Sequence, residues 1–172
     1  MNQRYMDTAG GQPGWRAETS TPSPCYEWTG FGQVPAVLGD ATARPGAVCR
    51  DENGQGCALH IGPDRWLIAA PSPATMATLE QAQRQGDGAG AEVTGKWRRV
   101  RLVVLPGERA RTHPLCAALP VDLVLADREC ASLWAFDCPV IVVRSDGELE
   151  LWVEASYEAS LLEMLATLGV AT

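Results

Sequence analysis

Hairpins alternating with helices predict an α+β domain: a mainly antiparallel sheet with helices packed on one face. Three observations carry that expectation. Leu149, Leu151 and Val153 alternate with Glu148, Glu150, Trp152 and Glu154, the two-residue period of a strand. Ser145-Asp146-Gly147 joins this run to the apolar stretch 139–144, and Asp-Gly is a strong hairpin signal. Tyr157, Leu161, Leu165 and Leu168 then fall on one helical stripe, with Gly169 where a C-terminal cap belongs.

The other elements follow in order. Residues 1–24 are rich in Gly, Ser, Thr and Pro and lack periodicity, so they read as a flexible N-terminal arm that could order against a partner. Residues 25–172 read as a single domain. Its stretch 26–56 spreads Trp28, Phe31, Val34 and Leu38 among glycines and is expected to be irregular, with one short strand or helical turn. Pro63-Asp64 makes a turn between strands at 57–61 and 65–70, because Pro presets φ and Asp bonds its own backbone. Ser72 and Pro73 are an N-cap and a first helical residue for a helix reaching Gln85. Gly86-Asp87-Gly88-Ala89-Gly90 reads as a flexible loop, and 97–105 as a strand. A short helical stretch is expected over 108–119, interrupted at Pro114, and an extended piece over 121–125.

Composition limits the function. At 172 residues the chain can bury a core, and 46% apolar against 20% charged residues is a globular balance. A net charge of −7 counts against non-specific nucleic-acid binding. No apolar run approaches the roughly 20 residues that span a bilayer. Residues 1–14 lack the apolar core of a secretory leader, so the expected location is cytoplasmic. Of the 14 basic residues only Lys96 is a lysine. That skew suits bidentate carboxylate contacts, but a GC-rich genome is the reading preferred over any such role. The six cysteines form no Cys-x-x-Cys pair and, without an export signal, are expected as free thiols, several of them in apolar surroundings.

Candidate chemistry is sparse. Cys57-x-x-His60 and His113-x-x-Cys116 could supply two Cys and two His to zinc. Cys57 and His60, however, lie on a predicted strand, where residues three apart point to opposite faces. Neither histidine accompanies a nucleophile motif, and there is no Gly-x-Ser-x-Gly elbow. The glycine cluster 86–90 precedes a strand instead of following one, so it is no dinucleotide fingerprint. Trp152 is expected on the outward, acidic face of its strand, where it could anchor a partner; a covering helix is the other reading. Arg98, Arg99 and Arg101 form a basic cluster suited to an acidic partner or a solvated face. Trp66 is expected in the core.

Three stretches resemble the gamma subunit of heterotetrameric sarcosine oxidases, a relative of the aminomethyltransferase-like folate-binding fold. The first is Gly62-Pro63-Asp64-Arg65-Trp66-Leu67. The second is Ala91-Glu92-Val93-Thr94 with the strand after it, Pro106-Gly107-Glu108-Arg109-Ala110 and Leu119-Pro120-Val121-Asp122-Leu123. The third is the strand pair 140–144 and 149–154 with Ser156-Tyr157 leading into the last helix. The chain departs from the family pattern at Leu119, Cys130-Ala131-Ser132 and Cys138-Pro139. The resemblance implies a non-catalytic accessory subunit with no cofactor of its own. Flavins, NAD and tetrahydrofolate are then expected in larger partner subunits that oxidatively demethylate sarcosine or a related N-methyl amino acid. The alternatives are a stand-alone folate binder of this fold, with Asp64, Asp122 and Glu154 as nominal pterin contacts, and a Cys/His metal module.

Overall fold

The computed structural model describes residues 14–30, 46–50, 56–104, 125–145 and 148–172. Among the described residues, two sheets and two helices form four layers. The first sheet holds β1 (Trp15–Ser20), β7 (Trp97–Val104), β8 (Glu129–Ala135), β9 (Cys138–Ser145), β10 (Glu148–Glu154) and β11 (Val170–Ala171), in the order β11-β1-β7-β10-β9-β8. The second holds β2 (Cys25–Gly30), β3 (Val48–Arg50), β4 (Cys57–Gly62), β5 (Arg65–Ala69) and β6 (Gly88–Glu92), in the order β3-β4-β5-β2-β6. Every pairing is antiparallel except β1 with β11. Helix α1 (Pro73–Gln85) lies on the outer face of the second sheet, where Leu79 joins Trp28, Ala58, Trp66 and Ile68. Helix α2 (Glu158–Thr167) lies on the outer face of the first, where Leu161 and Leu165 join Val100, Val142, Leu151 and Val153. The α+β class and the antiparallel pairing are as predicted. The sheet is two sheets, each carrying a helix on its outer face.

Local chemistry explains the elements that the sequence announces. Ser72 accepts a hydrogen bond from the Thr75 amide, and Pro73 occupies the first turn of α1. Gly86 ends the helix at φ 82°. Gly169 follows α2 at φ 80°. The hairpin around Pro63-Asp64 joins β4 to β5, with Asp64 at φ 53°.

Three expectations are corrected. The stretch 15–24 does not belong to an arm: Trp15–Ser20 pairs with β7 along its whole length. The polar alternation of that strand, exposed on one side and resting on the α2-side core through Trp15 and Ala17, hid it. The one short strand or turn expected within 26–56 is two strands, Cys25–Gly30 with Cys25 and Trp28 buried, and Val48–Arg50. The supposed loop 86–90 holds the first three residues of β6. Their glycines are not a sign of flexibility: a Cβ at Gly90 would stand 2.8 Å from the Trp28 indole, as would one at Gly30 of β2, and one at Gly88 closer still. Bare backbone here makes room for a tryptophan. Strand β8 had no sequence signal because its hairpin turn is Phe136-Asp137, both at positive φ, in place of Asn-Gly. The helical stretch at 108–119 and residues 121–124 lie outside the described residues.

Candidate functional site

The two sheets meet face to face, and of the predicted site residues Cys57, Arg99 and Trp152 fall on that seam. Trp152 is not an outward anchor. It is 1% exposed and packs with Trp97, Ile141 and Val143 of its own sheet against Leu59 and Leu67 of the other. The face that the alternation of β10 marked as acidic and outward is covered by a second sheet instead of a helix. That burial forces its charges into pairs.

Arg99 on β7 donates from Nε to Glu150 Oε2 at 2.7 Å and from Nη2 to Oε1, a bidentate pair. Arg50, from β3 of the opposite sheet, approaches the same carboxylate at 3.6 Å and donates from Nε to Ser145 Oγ at 2.9 Å. The Arg99 guanidinium also stands 6.0 Å from the centre of the Trp152 ring. Glu150 is 3% exposed. Burial pushes its carboxyl up, but the hydrogen bonds and charge of Arg99, aided by Arg50, outweigh that and hold it below its ordinary value. Farther out, Arg101 donates to Glu148 at 2.6 Å. Arg98 points to the other face, where it donates to Glu158 of α2 at 3.0 Å and to the Gly95 carbonyl at 2.9 Å. The three arginines are therefore not one basic cluster. Strand alternation splits them, and each has an acidic partner.

At the opposite end of the seam Lys96 donates to Glu27 of β2 at 2.7 Å and lies 3.6 Å from Glu154. Trp97 Nε1 also donates to Glu27, at 3.1 Å. Burial opposes the charge of Glu27, yet the bonds from Lys96 and Trp97 lower its pKa overall. These residues border a cleft of about 220 Å³, whose apolar wall includes Ile61, Leu133 and Pro139. Sequence reasoning missed Arg50, Ser145 and the Glu27–Lys96 pair. The signal for the Arg99–Glu150 and Arg101–Glu148 pairs was present: arginines and glutamates both recur at period two on strands of one sheet.

The zinc candidates do not converge. Cys57 faces the seam, whereas His60 faces the outer layer and stacks on Trp66 at 4.1 Å and 8° between planes. His113, Cys116 and Asp122 lie outside the described residues. Among the described residues no group of three or more His, Cys, Asp or Glu is placed to hold a metal ion. Both nitrogens of His60 are buried and have no hydrogen-bond partner among the described residues, so no described Ser or Cys uses it as a base. Burial pushes the Cys25 and Cys130 thiols up to about 12, the opposite of what a nucleophile needs. Asp64 sits in its turn and Glu154 beside Lys96. What the described arrangement does chemically is pair charges and lock two sheets.

No family model matches the chain, and no curated protein sequence matches it. Among solved structures it is similar to a chain of the heterotetrameric sarcosine oxidase from Corynebacterium sp. U-96 in complex with pyrrole 2-carboxylate. That match has a TM-score of 0.64 and 20% identity and covers 95% of this chain and 89% of the other. The likeness is one of fold, and it extends over nearly the whole of both chains. The TBP of Methanococcus jannaschii aligns at a TM-score of 0.29 and 9% identity, over 87% of this chain and 94% of that one, too distant to bear on the fold. No helix among the described residues is long and apolar enough to cross a membrane.

Proposed function

We propose that this chain is a gamma-type accessory subunit of a complex similar to heterotetrameric sarcosine oxidase, and that it contributes structure and not chemistry. The observation that carries the reading is the fold match over 95% of this chain and 89% of the other, which is what a subunit of the same kind would give. The sequence resemblance at 62–67, 91–123 and 140–157 points to the same family. The charges of the seam support it as well, because they are spent on one another and hold the sheets in register. Larger subunits would carry the flavins, NAD and tetrahydrofolate. The assembly would oxidise sarcosine or a related N-methyl amino acid, in the cytoplasm.

Affinity purification of the tagged chain from its native host tests this. Larger subunits with a flavin absorption spectrum should co-elute, and the eluate should oxidise an N-methyl amino acid. A colourless protein eluting alone would overturn the reading. Saturable folate binding by that isolated protein would favour the stand-alone folate binder.

A further inference from the structure

A cleft of about 250 Å³ lies between α1 and β6 on the outer face of the second sheet. Met76, Leu79 and Glu80 stand three and four residues apart on one stripe of α1 and form one wall. Tyr26 and Glu92 are register partners across β2 and β6, so their side chains stand on the same face and form the other wall. Trp28 and Gly90, the next pair on that face, continue the lining. Gly90 leaves the gap unfilled, because a Cβ there would stand 2.8 Å from the Trp28 indole.

The two carboxylates of this cleft differ from those of the seam. Glu27 and Glu150 each have an arginine or lysine against them. Glu80 and Glu92 are exposed and have no basic partner among the described residues. Glu92 accepts from the Thr94 hydroxyl at 2.7 Å, and Arg84, one turn beyond Glu80, forms no ion pair with it. Their charge reaches the cleft: burial, and then the charges of Glu92 and Glu80, push the Tyr26 phenol up. An apolar, aromatic base with uncompensated negative charge on both rims is the complement of a cation carried on an apolar stem. Size narrows the choice, since about 250 Å³ falls short of the roughly 300–1,000 Å³ of pockets for drug-sized ligands and suits one long side chain. A planar guanidinium can lie on the Tyr26 ring and reach two carboxylates at once, which a lysine ammonium does less well.

We propose that the α1–β6 cleft seats an arginine side chain from the surface of another protein, with its methylene stem against Met76, Leu79 and Tyr26 and its guanidinium between Glu80 and Glu92. The apolar walls supply contact area and the two carboxylates the selectivity. The inference rests on the cleft and not on the accessory-subunit reading.

The test titrates the full, isotope-labelled chain by NMR with N-acetyl-arginine methylamide and with the matching citrulline compound, whose neutral urea has the shape of the guanidinium. The arginine compound should shift the Tyr26, Gly90 and Glu92 amides saturably, with a Kd on the order of 1–10 mM. The citrulline compound and capped lysine should each bind at least about fivefold more weakly. Glu80→Gln combined with Glu92→Gln, with an unchanged circular dichroism spectrum, should weaken the arginine compound about tenfold. If that variant does not fold, salt takes its place: about 0.5 M sodium chloride should weaken arginine binding to the wild-type chain and leave citrulline unchanged. Absent shifts, equal binding of arginine and citrulline, or arginine binding indifferent to the glutamates and to salt would overturn the proposal. Capped lysine binding as well as arginine would overturn the assignment to arginine. Agmatine, the same stem and guanidinium without a backbone, binding where capped arginine does not would overturn it in favour of a small organic cation. Absent binding together with lost stability in the double variant would overturn it by showing that this chain fills the cleft itself.

Discussion

Glu150 keeps its charge at 3% exposure because two arginines from different sheets meet it there. Breaking one side of such a pair strands a charge, whereas replacing the whole set by apolar groups can be neutral. Glu150→Gln is therefore expected to cost about 2–3 kcal/mol at neutral pH, toward the lower end because both arginines keep some contact with water. The acid dependence follows from the sign of the shift. The carboxyl is lowered from 4.5 in the folded chain, so its stabilisation is complete above that value and is lost as pH falls through the lower folded value. Urea midpoints measured between about pH 2.5 and 7 should fall more steeply on the acid side for wild type than for the Gln variant. Some slope should survive in the variant, because Glu27 is lowered in the same direction. Identical slopes would mean that Glu150 is not held by its arginines in solution.

At the scale of elements, the strands with a complete local code were legible. The β4–β5 hairpin, α1 with Ser72 and Gly86, and β10 with α2 each had period, turn chemistry and caps in agreement. The elements that went unread each owed their form to a partner distant in sequence. Strand β6 has no code of its own, since its glycines answer to Trp28 on β2. Strand β1 is fixed by β7, and β8 by β9 across a turn with an atypical sequence. Gly88→Ala tests the packing account directly. The new methyl meets the Trp28 indole and stands 2.8 Å from the Thr29 carbonyl, so a thermal melt should show a loss of about 1–3 kcal/mol. Trp28→Leu in the same chain should recover part of it. A flexible loop at 86–90 would instead tolerate alanine at no cost.

At the scale of the molecule, the candidate site shows why function was harder to read than fold. Period two correctly sorted the residues of β10 into two faces, but no periodicity says what covers a face. A second sheet covering Trp152 turned a predicted docking surface into the centre of the protein. Among the described residues the most exposed large apolar side chain is instead Trp134, on a strand that the sequence did not announce.

The pairing of β1 with β11 bears on how long the protein stays folded. Trp15 meets Val170 in parallel, joining strands far apart in the chain, whereas β4–β5 and β8–β9 close over short turns. Contacts of such long separation repay their loop-closure entropy late, after the local hairpins have formed. A contact absent from the transition state resists escape from the native basin without easing entry. Val170→Ala should accordingly quicken the unfolding limb of a chevron plot and leave the refolding limb in place, and a slowed refolding limb would put this pairing in the nucleus. Two residues of strand at the sheet's rim would then set the protein's lifetime more than its speed of folding.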